Sequence, residues 1–89
     1  MQLFREIEKS FPQMEKFFTA AAKKEFTACK LEDLCDYHFG FGTWIRNHLL
    51  RNGSSLLEYF TQVGINDRDE MSAIMIFLFY LLQASDGAA

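Results

Sequence analysis

Apolar positions along this 89-residue chain recur with helical spacing, and a few Pro, Gly, Ser, Thr and Asn residues punctuate the pattern. Residues 2–9 predict a short first helix with Leu3, Phe4 and Ile7 on one side. Ser10-Phe11-Pro12-Gln13 reads as a capping box with proline in the first turn, where its missing N–H costs nothing. The helix it opens runs to about Lys24. Phe11, Met14, Phe17, Phe18, Ala21 and Ala22 form its apolar stripe, with Glu15 and Lys16 outside.

Thr27 is a candidate N-cap for a third helix, with Phe26 and Leu31 at hydrophobic-staple positions. Leu31, Leu34, Cys35 and His38 follow the i, i+3, i+4, i+7 spacing of one buried face, leaving Glu32, Asp33 and Asp36 mostly outside it. Phe39-Gly40-Phe41-Gly42 interrupts this helix, and the pattern resumes at Thr43 with Trp44, Ile45, His48 and Leu49. Asn52-Gly53 closes that segment, since either residue tolerates a left-handed cap. Ser55-Leu56-Leu57-Glu58 is a second capping box, opening a helix that ends at Gly64. Asn66 is the expected cap of the last helix, with Asp67, Asp69 and Glu70 favourable to the dipole of its first turn. No alternating strand pattern or internal repeat competes with this reading. It predicts an all-α domain over residues 1–84, an irregular bundle of about five helices with an apolar C-terminal helix, and a small, polar, frayed tail at 85–89.

The last helix stands apart. From Met71 to Leu82 only Ser72 and the Tyr80 hydroxyl are polar, so apolar groups face every direction. Such a helix is either central to its own fold or shared with another chain. Phe77, Phe79 and Tyr80 are therefore candidates for a self-association face, which would make the protein a homodimer. The run is twelve residues, short of the roughly 20 needed to span a membrane. Residues 1–10 mix acids and bases without the apolar stretch of a secretory signal, and a soluble cytoplasmic protein is expected.

Composition sharpens the picture in two ways. Hydrophobic content is 49%, and ten of the fourteen aromatics are Phe, enough to build a core and to exclude a disordered chain. The formal charge of -3 disfavours a nucleic-acid partner, which needs a basic face. The charge is uneven: residues 1–30 carry six Lys/Arg against four Glu, and residues 31–89 three Arg against eight acids. Lys23, Lys24 and Lys30 are the one basic cluster, and a solvated helix end accounts for them.

Candidate chemistry is thin. Cys29 and Cys35 lie six apart and would point to different faces of a helix, so reduced, buried thiols are expected rather than a disulfide. With His38 and His48 they make four potential zinc ligands on paper, but no C-x₂₋₄-C knuckle exists, and no metal or other cofactor is expected. Cys35 and His38 are the one nucleophile–base pair close in sequence, and both lie on the stripe expected to be buried. No phosphate-binding glycine loop or nucleophile elbow is present, so no enzyme is expected.

The most unusual stretch is His38-Phe39-Gly40-Phe41-Gly42-Thr43-Trp44-Ile45-Arg46-Asn47. Two glycines around one Phe allow a turn or the close approach of another helix. Trp44, Ile45 and Leu49 draw their helix into the core and Arg46 with it, so Arg46 should need a carboxylate. Asp33, Asp36 and Glu58 are candidates, the first two favoured. His38, Phe41, Trp44, Arg46 and Asn47 are the residues expected either to tie helices together or to contact a partner or ligand. Over about residues 28–83, the chain resembles a bacterial family of small domains of unknown function. Their hallmark is a helix ending in Leu-His-Phe-Gly-Leu-Gly, a bulky residue, and then Trp-Ile-Arg-Asn; Tyr37 and Phe41 stand here in place of its leucines. The resemblance implies a small helical domain without an assigned reaction. Small size, acidity and an over-apolar helix lead to an expected role in binding an as yet unidentified protein, as an inhibitor or immunity-type protein. The alternative is a sensor of a small molecule or anion built on Gly40–Asn47.

Overall fold

The structure is a computed structural model that describes the backbone of residues 2–88 and the side chains of residues 2–82. Six helices follow one another, with no strand among the described residues: α1 (Gln2–Glu15), α2 (Ala20–Ala28), a 3₁₀ helix (Leu31–Tyr37), α3 (Phe41–His48), α4 (Ser55–Gln62) and α5 (Arg68–Ala88). The tail expected at 85–89 lies outside the residues whose side chains are described. α5 packs against α1, α2, the 3₁₀ helix and α3, while α1 also carries α4. Among the described residues no helix is long and apolar enough to cross a membrane.

The core is aromatic where the helices meet. Phe26, Phe41 and Phe79 are fully buried. Phe26 lies 5.8 Å from both Phe41 and Phe79, and those two rings are also 5.8 Å apart, edge to face. Phe18 caps this triangle, 5.1 Å from Phe26 and 4.7 Å from Phe41. Rings at such separations favour tilted and edge-on contact, adding roughly 0.5–1.5 kcal/mol per pair to their burial. One cluster thus joins α2, α3, α5 and the turn before α2. Leu3 and Ile7 of α1 and Leu56 and Phe60 of α4 belong to the same continuous core.

Several boundaries differ from the sequence reading, among them those of α3, which begins at Phe41 rather than Thr43 and ends at His48, ahead of Asn52-Gly53. Ser10 does not open a helix: its hydroxyl donates to the Ile7 carbonyl at 2.5 Å, so α1 runs on through Pro12 to Glu15. The break comes later. Lys16, Phe17 and Phe18 donate to carbonyls three residues back, tightening the chain into a turn that carries Phe18 into the aromatic cluster. Thr19 then caps α2, its Oγ1 accepting from Ala22 N at 3.1 Å. Thr27, the expected cap, lies inside α2 and donates to Lys24 O.

The third expected helix is the 3₁₀ segment, and its winding changes which residues face inward. At three residues per turn, Leu31, Leu34 and Tyr37 stack in one row, where α-helical winding would have aligned Leu31, Leu34, Cys35 and His38. Tyr37 accordingly packs 4.8 Å from Phe26. Cys35 is exposed, His38 half-buried, and Leu31 is 54% exposed. Further along, Ile45 and Leu49 are buried as expected, whereas His48 is exposed and Leu50 is buried in its place.

Ser54, one residue before the expected cap, begins α4 by accepting from Leu57 N at 3.2 Å. Asp67 rather than Asn66 caps α5, accepting from Asp69 N at 2.9 Å. The end of α4 matches expectation. Gly64 adopts φ +90°, Ile65 N donates to Phe60 O, and Gly64 N donates to Thr61 O, the paired bonds of a Schellman motif. Gly53 also has positive φ (+86°), in the turn between α3 and α4.

These assignments predict that Thr19→Ala and Ser54→Ala each lower stability by about 1 kcal/mol in urea unfolding. Ser55→Ala should change it by less than about 0.5 kcal/mol. Equal losses at Ser54 and Ser55 would contradict the observed cap.

Candidate functional site

The residues singled out between His38 and Asn47 divide between core, clamp and surface. Phe41 is fully buried in the aromatic cluster and stacks on Phe17 with ring centres 4.9 Å apart, so it presents nothing to a ligand. Trp44 is half-buried and lies flat on His48, 4.6 Å away at 19°. The His48 Nδ1 is 2.9 Å from the Trp44 carbonyl one turn back, which fixes the pair on the outer side of α3. Asn47 is exposed.

Arg46 is the clamp. Its side chain is only 17% exposed, because α3 packs on α5 along this edge. One guanidinium nitrogen donates to Ser72 Oγ at 2.8 Å; the other donates to Thr43 Oγ1 at 3.0 Å and to the His38 carbonyl at 3.4 Å. Ser72 is fully buried and donates in turn to the Asp69 carbonyl at 2.9 Å, so the chain of bonds runs from the end of the 3₁₀ helix through α3 into α5. The acid beside Arg46 is Asp69 of α5, with Nε 3.4 Å from Oδ1, and not Asp33, Asp36 or Glu58. The 3₁₀ winding leaves Asp33 and Asp36 exposed. Asp69 is itself 63% exposed, so this ion pair is a surface one worth no more than about 1 kcal/mol. The neutral acceptors do most of the holding.

Gly42 explains one of the two glycines. A Cβ there would come within 3.0 Å of Arg46 Nη1 and 3.7 Å of Ile76 Cδ1. The missing side chain is the space into which the guanidinium folds. Gly40 has no comparable requirement: a Cβ would meet only Phe17 Cζ, at 4.0 Å.

An apolar groove of about 340 Å³ opens beside this clamp. Leu31, Leu34, Cys35 and His38 line one side, from the 3₁₀ helix and its end; Ala73, Ile76 and Phe77 of α5 line the other. Cys35 and His38 therefore do share a surface, although an open one. A shallower, more polar depression of about 260 Å³ lies between α1 and the start of α4, with Lys9, His48 and Ser55 on its walls.

The residues proposed for self-association separate in the same way. Phe79 is fully buried at the centre of the aromatic cluster and offers no surface to a second copy. Tyr80 packs on Phe26, and its hydroxyl donates to the Cys29 carbonyl at 2.6 Å, tying α5 to the end of α2. Phe77 alone of the three is a surface residue, 41% exposed in the groove. The groove itself escaped the sequence reading. Its one legible sign was the Phe77 position, offset from the buried Met75, Ile76 and Phe79.

Both cysteines are free thiols. Burial, with Asp33 and Asp36 nearby, pushes the Cys29 thiol above its ordinary value and away from the reactive thiolate. Among the described residues no three His, Cys, Asp or Glu side chains converge as metal ligands.

Fold and site define a small all-helical domain with an arginine clamp between two helices and an open apolar groove beside it. The chain belongs to the family described as Domain of unknown function (DUF6794), whose model matches residues 5–81. That match takes in most of α1 and all of α2, residues that lie almost entirely outside the 28–83 stretch of the central motif's resemblance. No curated protein and no solved structure matches the chain.

Arg46→Ala should cost about 1–3 kcal/mol, since it leaves the buried Ser72 hydroxyl and the His38 carbonyl without a donor. Asp69→Asn should cost less than about 1 kcal/mol. Thermal unfolding of both variants tests this ranking, and the reverse order would place the clamp's strength in the ion pair. The glycines give an independent check. Gly40→Ala should be neutral or stabilising by up to about 1 kcal/mol, whereas Gly42→Ala should be destabilising by about 1–2 kcal/mol despite the better helix former. Equal effects in urea titrations would show that Gly42 makes no room for Arg46.

Proposed function

We propose that this domain is a protein–protein interaction module whose contact surface is the groove between the 3₁₀ helix and α5. The observation that carries this reading is the gathering of exposed apolar side chains. Six large ones are exposed among the described residues: Phe4, Leu31, Phe39, Val63, Phe77 and Leu81. Leu31 and Phe77 line the groove; Leu81 follows Phe77 one turn along α5. Phe39, 82% exposed, stacks edge-on with the groove residue His38 at 5.1 Å. Single exposed apolar residues are ordinary on any protein, but a contiguous set around a concavity marks a contact site.

The role fits an inhibitor or immunity-type protein, which acts by covering a surface of another macromolecule and needs no reaction of its own. Free cysteines are in keeping with a reducing, cytoplasmic setting, and the motif's resemblance favours a bacterial source. The sensor alternative has less support, because the guanidinium expected to hold an anion already serves Ser72, Thr43, His38 and Asp69.

Phe77→Ser should leave the circular dichroism spectrum and cooperative unfolding intact, because the side chain is half out of the core. A partner that co-purifies with the wild type from the native host should be lost with Phe77→Ser and retained with Phe4→Ser, a control on α1. Retention in both variants would remove the groove from the contact.

A further inference from the structure

We infer that the 3₁₀ segment is a lid on α5 that opens as a unit while the rest of the bundle stays folded, whatever occupies the groove it walls. The backbone sets the segment apart. Cys29 and Lys30 are both extended, with ψ 160° and 150°, so the chain leaves α2 before it winds into Leu31–Tyr37. A turn at residues 38–40 then separates it from α3. Runs of 3₁₀ winding beyond three or four residues are uncommon because their hydrogen bonds are poorly aligned, and this one has seven residues.

Burial points the same way. Each of the α-helices buries at least one side chain, whereas no residue of the 3₁₀ segment is buried. Leu34 and Tyr37 reach inward, and both are half-buried. Tyr37 leans on Phe26 with ring centres 4.8 Å apart. The two ends are fastened from outside. Tyr80 Oη of α5 donates to the Cys29 carbonyl at 2.6 Å where the chain enters the segment, and Arg46 of α3 donates to the His38 carbonyl at 3.4 Å where it leaves.

Releasing these fastenings does not dismantle the core. Phe18, Phe26, Phe41 and Phe79 touch one another without help from the segment. A stretch with few buried side chains and exposed backbone hydrogen bonds opens at a free energy well below that of global unfolding. When the lid lifts, Tyr37 leaves Phe26, and the groove walled by Leu34, Cys35 and His38 extends inward to the ring cluster.

Amide hydrogen exchange of the full chain, measured where closing is faster than exchange, tests this. The amides of residues 33–38, from Asp33 N on Lys30 O to His38 N on Cys35 O, should exchange at least about a hundredfold faster than those of Met75, Ile76 and Phe79, relative to intrinsic rates. Low urea should raise their rates together, with a slope well below that of the α5 amides, because lid opening exposes little surface. Two variants separate lid opening from global unfolding. Tyr80→Phe removes a bond that opening breaks and should speed all the segment's amides by about fivefold. Ser54→Ala weakens the α4 cap and should speed the α5 amides by about fivefold while the segment keeps its rates. Equal acceleration of both regions by Ser54→Ala would show that the segment unfolds only with the bundle. An effect of Tyr80→Phe that is absent, or confined to one end of the segment, would show fraying in place of a lid. Either result overturns the proposal. If Tyr80→Phe fails to fold, the urea slopes of the wild type decide: a slope shared with α5 overturns it too.

Discussion

Everything else in this domain depends on the contact among Phe26, Phe41 and Phe79, fully buried rings from three different helices. A chain of 89 residues has too little interior to spread its stabilisation over many small contacts. It concentrates large rings where helices converge, and α5 is the element that receives most of them. Phe79 meets Phe11, Phe18, Phe26 and Phe41, so α5 is held from the side of α1, α2 and α3 at one level. Tyr80 secures the same level with a hydrogen bond to the end of α2. Moving any one of these rings would shift α5 against the others.

The clamp at Arg46 takes its meaning from that arrangement. Phe41 anchors the start of α3 in the ring cluster, and Arg46 lies just over one turn further along the same helix. Two fixed points on one short helix set both its position and its rotation against α5. Gly42 makes the second point possible by leaving room between them. The motif is therefore readable as one device: an aromatic that buries, a glycine that clears space and an arginine that locks. Trp44 and Asn47 lie outside the device: Trp44 is half-buried beside Phe17 and stacks on His48, and Asn47 is exposed.

Much of this was legible in the sequence, and each failure has its own cause. The all-helical class, a break before Trp44, the Gly64 stop and a semi-buried Arg46 followed from residue type and spacing. Boundaries were missed where two adjacent residues compete for one role: Ser54 against Ser55, and Asp67 against Asn66. Spacing to a downstream acid favours one, and only the course of the chain selects the other. Ser10 failed differently, since its hydroxyl turned back to its own helix. The larger error was periodicity. A 3.6-residue rule applied to residues 31–38 assigns Cys35 and His38 to the interior and leaves Tyr37 out. The 3.0-residue winding brings Tyr37 to the core and leaves Cys35 exposed and His38 half-buried, and the short segment between the helix end at Ala28 and the turn at His38 has no sequence mark that distinguishes the two. The partner acid of Arg46 was missed for another reason: Asp69 reads in the sequence as a charge favourable to the dipole of α5, and only the packing of α3 on α5 brings it beside Arg46.

That segment also forms one wall of the groove. Leu31, Leu34, Cys35 and His38 still face α5 across it, split between two rows of the 3₁₀ helix. The 3₁₀ helix turns Tyr37 toward Phe26 and leaves Leu34 half-buried, with Leu31 and Cys35 facing outward. The same segment completes the aromatic core with Tyr37 and walls the groove with Leu34, Cys35 and His38. Core and groove are two consequences of one local geometry.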